Sequence, residues 1–256
     1  GLPFVFGFNE IMTGCGLIGP HAACSMRGGV FWMGTGNFFV LAGGGPRSIP
    51  CTVWDVVFQN LDSDNQTKCV AAPNSAFDEV FFFYPSLSGG TGEIDSYVKF
   101  NIEENSWDYG TLSRTAWTDQ SVLGQPIGTT PTGIIYQHET SPDADGGALL
   151  ASFVTGWFTL SESRDLMFLD FFFPDMKWRY FNGTASSASV QVTIEVATYP
   201  NSAVTTFGPF TMNETKEFIN CRLRGKLVRL TFSSADVGTF WRLGQMRFRM
   251  NPDGRR

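Results

Sequence analysis

A chain of 256 residues can form one large or two medium β domains. Its 43% hydrophobic and 15% aromatic content, with 25 Phe and 7 Trp, exceeds what a small surface module needs, and with only 16% charged residues much of its surface is expected to be covered by partners. The composition excludes a multi-histidine metal site, because only His21 and His138 are present, and no apolar run is long enough to cross a membrane as a helix. The formal charge of −6 is uneven: residues 213–256 carry ten Lys/Arg against four Asp/Glu, and residues 1–212 carry eight against twenty. That split points to two faces for two partners, or to an acidic lining facing something anionic.

In chain order, residues 2–8 read as a strand already inside a fold, so the chain is expected to be part of a longer one. No secretory signal pattern is visible in it. Residues 29–33 and 37–41 form a hairpin across Gly34-Thr35-Gly36. One helix is expected over 53–61, with Thr52 as its N-cap and Val53, Trp54, Val57 and Leu61 near one face. Four strands follow at 68–72, 79–84, 96–102 and 107–112, joined by turns such as Pro73-Asn74-Ser75 and the glycine-rich 88–92. Four meandering antiparallel strands make one blade of a β-propeller, and a partial blade follows at 115–119, 126–129 and 133–138.

The loop 140–147 is the best domain boundary. The expected organisation is therefore all-β, with propeller blades over 1–147 and a β-sandwich-like domain over 148–256. The later strands are longer: 151–160, 166–173, 189–198, 204–210, 218–224, 226–233 and 241–250. Apolar and polar residues alternate along Val190–Val196, so one face is buried and one is wet.

Motifs that could carry chemistry are incomplete. Gly14-Cys15-Gly16-Leu17-Ile18-Gly19 matches a dinucleotide fingerprint, but Pro20 follows at once and no acid lies near position 35. Loops starting at Asp62 and Asp143 lack the glycine and glutamate that a calcium loop requires at fixed offsets. The stretch 141–147 brushes against the Asp-box of sialidase propellers without its closing aromatic. Glu103 and Glu104 would face opposite sides of a strand, and no GxSxG elbow exists. The cysteines, at 15, 24, 51, 69 and 221, are odd in number and form no CxxC pair, so buried reduced thiols are expected. The sequons at Asn65, Asn182 and Asn213 then carry no meaning. No catalytic, cofactor-binding or metal-binding residue is assigned, and the chain is expected not to be an enzyme. The basic C-terminal segment offers Arg222, Arg224, Arg247 and Arg249 as interface candidates, the last two on one face of a strand. They suit either nucleic acid or an acidic neighbouring subunit.

The string Gly14–Pro20 followed by Gly29-Val30-Phe31-Trp32-Met33 resembles a family of phage and prophage virion proteins. So do Pro50–Phe58, Asn74–Val80, Gly110–Trp117, Trp241–Gly244 and Pro252–Arg256, in the same order along nearly the whole chain. They are similar to the tail-nozzle, or packaged-DNA stabilisation, proteins of short-tailed bacteriophages. The resemblance implies a propeller with attached β domains and six copies in a ring at the distal end of the tail channel. It implies docking on an adaptor ring, binding of tailspike or fibre proteins, and retention of packaged DNA until ejection. The location would be the virion tail, after synthesis in the host bacterial cytoplasm. Family members are usually much longer, and this chain would match their C-terminal part. An acidic channel wall would let DNA slide rather than stick. The alternative expectation is a propeller that binds or processes carbohydrate as a receptor-binding protein.

Overall fold

The computed structural model describes residues 10–161, 165–178 and 189–254. The expected strand 2–8, the sequon at Asn182 and the terminal Arg255 and Arg256 lie outside them. Among the described residues the fold is all-β, with several antiparallel sheets, none of which closes on itself. No helix there is long and apolar enough to cross a membrane. The chain divides into two compact units, Gly1–Thr140 and Ser141–Arg256.

The first unit is a succession of meanders. Strands β1 (Ala23–Met26), β2 (Gly29–Met33), β3 (Phe38–Ala42) and β4 (Gly45–Ile49) pair in sequence order. After a short helix, α1 (Trp54–Phe58), and a 3₁₀ turn (Ser63–Lys68), a second sheet follows. It comprises β5 (Val70–Asn74), β6 (Glu79–Pro85), β7 (Ile94–Asn101) and β8 (Ser106–Thr111), again in sequence order. A third sheet holds β9 (Ala116–Thr118), β10 (Ile127–Thr129) and β11 (Ile135–Gln137).

Strand β6 organises the packing. Val80, Phe82 and Tyr84 join one apolar cluster with Met33, Phe38 and Val57 from the first sheet and α1. Phe81 and Phe83 point the other way, against Ile94 and Trp117. Burial on both faces explains the unbroken apolar run Val80–Tyr84, where a half-exposed strand would alternate. Trp117 also donates its indole N–H to the Pro73 carbonyl at 2.8 Å.

Two local expectations are corrected. The helix covers five residues, with Val53 at the N-cap and no side-chain cap bond, so Thr52 does not cap it. Its C-terminal extension is lost to the second sheet: the Asp62 amide bonds to the Pro85 carbonyl and the Leu87 amide to that of Asn60. Pro73 and Asn74 end β5, and the expected turn starts one residue later, at Asn74, whose carbonyl accepts from the Phe77 amide at 3.2 Å. That strand is the edge of its sheet, where proline's missing amide is tolerated.

In the second unit, β12 (Ala151–Val154) and β13 (Phe158–Thr159) replace the single strand expected over 151–160. Both pair with β18 (Leu227–Ser234), on either side of Gly156. One sheet has the order β12-β18-β15-β16, where β15 is Val190–Ala197 and β16 is Thr205–Met212. The other has the order β17-β14-β19, from β17 (Ile219–Gly225), β14 (Met167–Trp178) and β19 (Trp241–Pro252). Leu169 and Phe172 of β14 and Leu223 of β17 share one apolar cluster with Val192, Ile194, Leu230 and Phe232 of the first sheet. The chain changes sheet at Gly225-Lys226, where a Cβ on Gly225 would come within 2.1 Å of Val196 Cγ1. That approach explains the glycine.

Candidate interaction surface

The sheet β17-β14-β19 buries one face and presents the other. Along β17, Ile219, Cys221 and Leu223 point inward while Asn220, Arg222 and Arg224 are exposed. Along β19, Leu243, Met246, Phe248 and Met250 pack on the cluster, leaving Arg242, Arg247 and Arg249 outside. The central β14 contributes half-buried Phe168, Phe171 and Phe173, and Lys177 near its end. Register seats Phe168 between Arg224 and Asn251, and Phe173 opposite Arg247. The structure thus brings all four sequence-predicted arginines to one sheet face, flanking a row of phenylalanines.

These cations are in different states. A β-bulge at Asp170 adds a residue to β14 opposite β19 and turns its carboxylate outward. Arg249 binds that carboxylate through two nitrogens at 2.8 and 2.9 Å and lies over the Phe171 ring, 5.4 Å from its centroid. The hydrogen bonds from Arg249 hold the Asp170 carboxyl below its ordinary range. Arg224 pairs with Asp253 at 2.6 Å and donates to its carbonyl at 2.8 Å. Arg247 lies over Phe173 at 5.8 Å. It forms no ion pair among the described residues, and neither does Arg222 or Arg242. Arg242 stands directly opposite Lys177. Like charges facing each other across a sheet are destabilising alone and are relieved by an anionic partner.

The C-terminal charge excess is not itself a face. Arg229 is bound bidentately by Glu195 at 2.6 and 2.8 Å within the same sheet, and Arg249 by Asp170. By structural unit, the first carries five Lys/Arg against thirteen Asp/Glu, and the second thirteen against eleven. Sequence reading missed Lys177 and the phenylalanine row. The signal for the row was the alternation within 167–173, hidden because all those residues except Asp170 are apolar.

The other sequence motifs lie in turns, bridges and side-chain contacts. Within Gly14–Gly19, Leu17 forms a bridge with Gly34, and a turn at Pro20 and a bridge from His21 to Val70 follow where a dinucleotide site would place a helix. His138 accepts a hydrogen bond from Arg114 Nε at 2.8 Å, and burial with that cation pushes its pKa down to about 4. Among the described residues no three His, Cys, Asp or Glu side chains gather as metal ligands. All cysteines are free, but only Cys69 and Cys221 are buried. Cys15, Cys24 and Cys51 are partly exposed, against the expectation for them. Burial nevertheless pushes the Cys24 thiol up to about 12.

No protein-family model matches the chain, and no curated protein matches it.

Proposed function

We propose that this protein is a structural component of a short-tailed phage tail, a nozzle ring whose copies surround the channel through which DNA is retained and then ejected. The observation that carries this reading is the arginine-and-phenylalanine face of the second unit, set against the strongly acidic composition of the first. A cyclic assembly needs two different, complementary patches on each copy. Arg222 and Arg247 would dock on carboxylates of a neighbouring first unit. The segments similar to tail-nozzle proteins support the same reading, and in it the successive meanders are propeller blades and the second unit a β-sandwich. The ring would have six copies, an adaptor ring and tailspike or fibre proteins as neighbours, a place in the virion, and no active site. DNA would pass without sequence-specific contact.

Charge reversal tests this. With Arg222→Glu and Arg247→Glu combined, mass photometry should show loss of the assembled species while circular dichroism remains native. The unaltered chain should dissociate as salt rises, because exposed ion pairs are screened. An assembly insensitive to both changes would contradict the proposal. A monomer that binds oligosaccharide would favour the carbohydrate-binding alternative.

A further inference from the structure

A pocket in the first unit has no part in the assembly argument. It opens at one end of the sheet β1–β4, on the side that faces β7. Residues two apart on a strand share a side, and the register places Cys24, Phe31, Val40 and Arg47 in one cross-strand row. The next row toward the sheet end is Met26, Gly29, Ala42 and Gly45. Apart from Met26, this row carries nothing larger than a methyl group, which leaves a notch beside Phe31 and Val40. Phe100 and Ile102 of the second sheet close its far side, giving a pocket of about 330 Å³. That lies at the lower end of the ~300–1,000 Å³ typical of small-ligand sites.

The floor is apolar and buried, from Met26, Phe31, Val40, Ile49 and Phe100. The rim is cationic. Arg27 is already engaged by the Asp78 carboxylate. Arg47 is exposed and pairs with no carboxylate among the described residues, although it occupies the row in which Val40 is core. Ser48 and Asn105 supply neutral polar groups at the rim.

We infer that this notch binds a small carboxylate with an apolar tail. The carboxylate would sit on the Arg47 guanidinium, whose planar fork suits that group. The tail would lie against Phe31, Val40 and Phe100. This inference is independent of the ring proposal, because the pocket lining includes neither the arginines of the second unit nor any carboxylate of the first.

The probe is octanoate, with octanol as its uncharged counterpart, measured by calorimetry and saturation-transfer NMR on the full chain. Octanoate should bind saturably with a dissociation constant below about 1 mM, and octanol about tenfold or more weakly. Arg47→Glu should weaken octanoate by a similar factor, and Ala42→Phe, which fills the notch from an exposed strand end, should abolish binding. Equal binding of octanol and octanoate, or octanoate binding unchanged by both substitutions, would overturn the inference. So would the absence of saturable octanoate binding to the unaltered chain. If Ala42→Phe fails to fold by circular dichroism, the octanol comparison and Arg47→Glu still decide.

Discussion

Arg247 and Arg249 stand two residues apart on one strand and do different work. Arg249 is held by Asp170, so its charge is spent within the fold. Arg247 lies over the Phe173 ring and has no ion pair among the described residues, so its charge remains available to a partner. His138 is the residue whose environment most clearly links pH to stability. Its folded pKa is depressed to about 4 from 6.5, chiefly by burial and then by Arg114. The neutral ring therefore contributes stability above about pH 6.5. That contribution is lost as pH falls toward 4, because the unfolded chain takes up the proton first. His138→Gln keeps an acceptor for Arg114 and removes the titration. Chemical denaturation should show that this variant loses about 2 kcal/mol less than the unaltered chain between pH 7 and pH 4, the full shift being worth ~3 kcal/mol before solvent screening of the part-exposed ring reduces it. Equal losses would show that His138 titrates normally.

Among the elements, the link between β17 and β18 is tightly constrained. Gly225 passes so close to Val196 that a methyl group must displace a core side chain of β15. Gly225→Ala should destabilise the second unit by about 1–3 kcal/mol, readable as a lower denaturation midpoint. An unchanged midpoint would mean that the two strands can separate at little cost. The elements also show what the sequence makes legible. The four-strand rhythm from position 68 to 112 emerges because turn residues punctuate it, and it returns as one sheet in sequence order. Alternation along β15 and β17 marks their buried faces directly. The helix after Thr52 was overdrawn because its periodicity cannot reveal that Asn60 and Asp62 bond to the end of β6. Gly156 divided an expected strand that both pieces still complete on β18. Sequence reading also ended β14 at 173, ahead of Pro174, but the strand continues to Trp178 through a second bulge. Lys177 was overlooked for that reason. The pocket near Arg47 was invisible because it depends on Gly29, Ala42 and Gly45 falling in one cross-strand row.

At the scale of the molecule, the charge pattern is an outcome of topology. The basic C-terminal segment pairs partly with acids from earlier strands of its own unit, leaving Arg222, Arg242 and Arg247 without ion pairs among the described residues. The first unit retains a large excess of carboxylates. An arginine face opposite in sign to another part of the same chain suits head-to-tail association of copies, which closes into a ring when the rotation permits. Cryo-electron microscopy of the assembled protein at low salt measures this most directly. The account predicts closed rings of six copies, with Arg222 and Arg247 against carboxylates of the neighbouring first unit and a central channel that is not lined by arginine and lysine. A particle that stays monomeric at every concentration, or a ring whose channel wall is built from the arginine face, would contradict it.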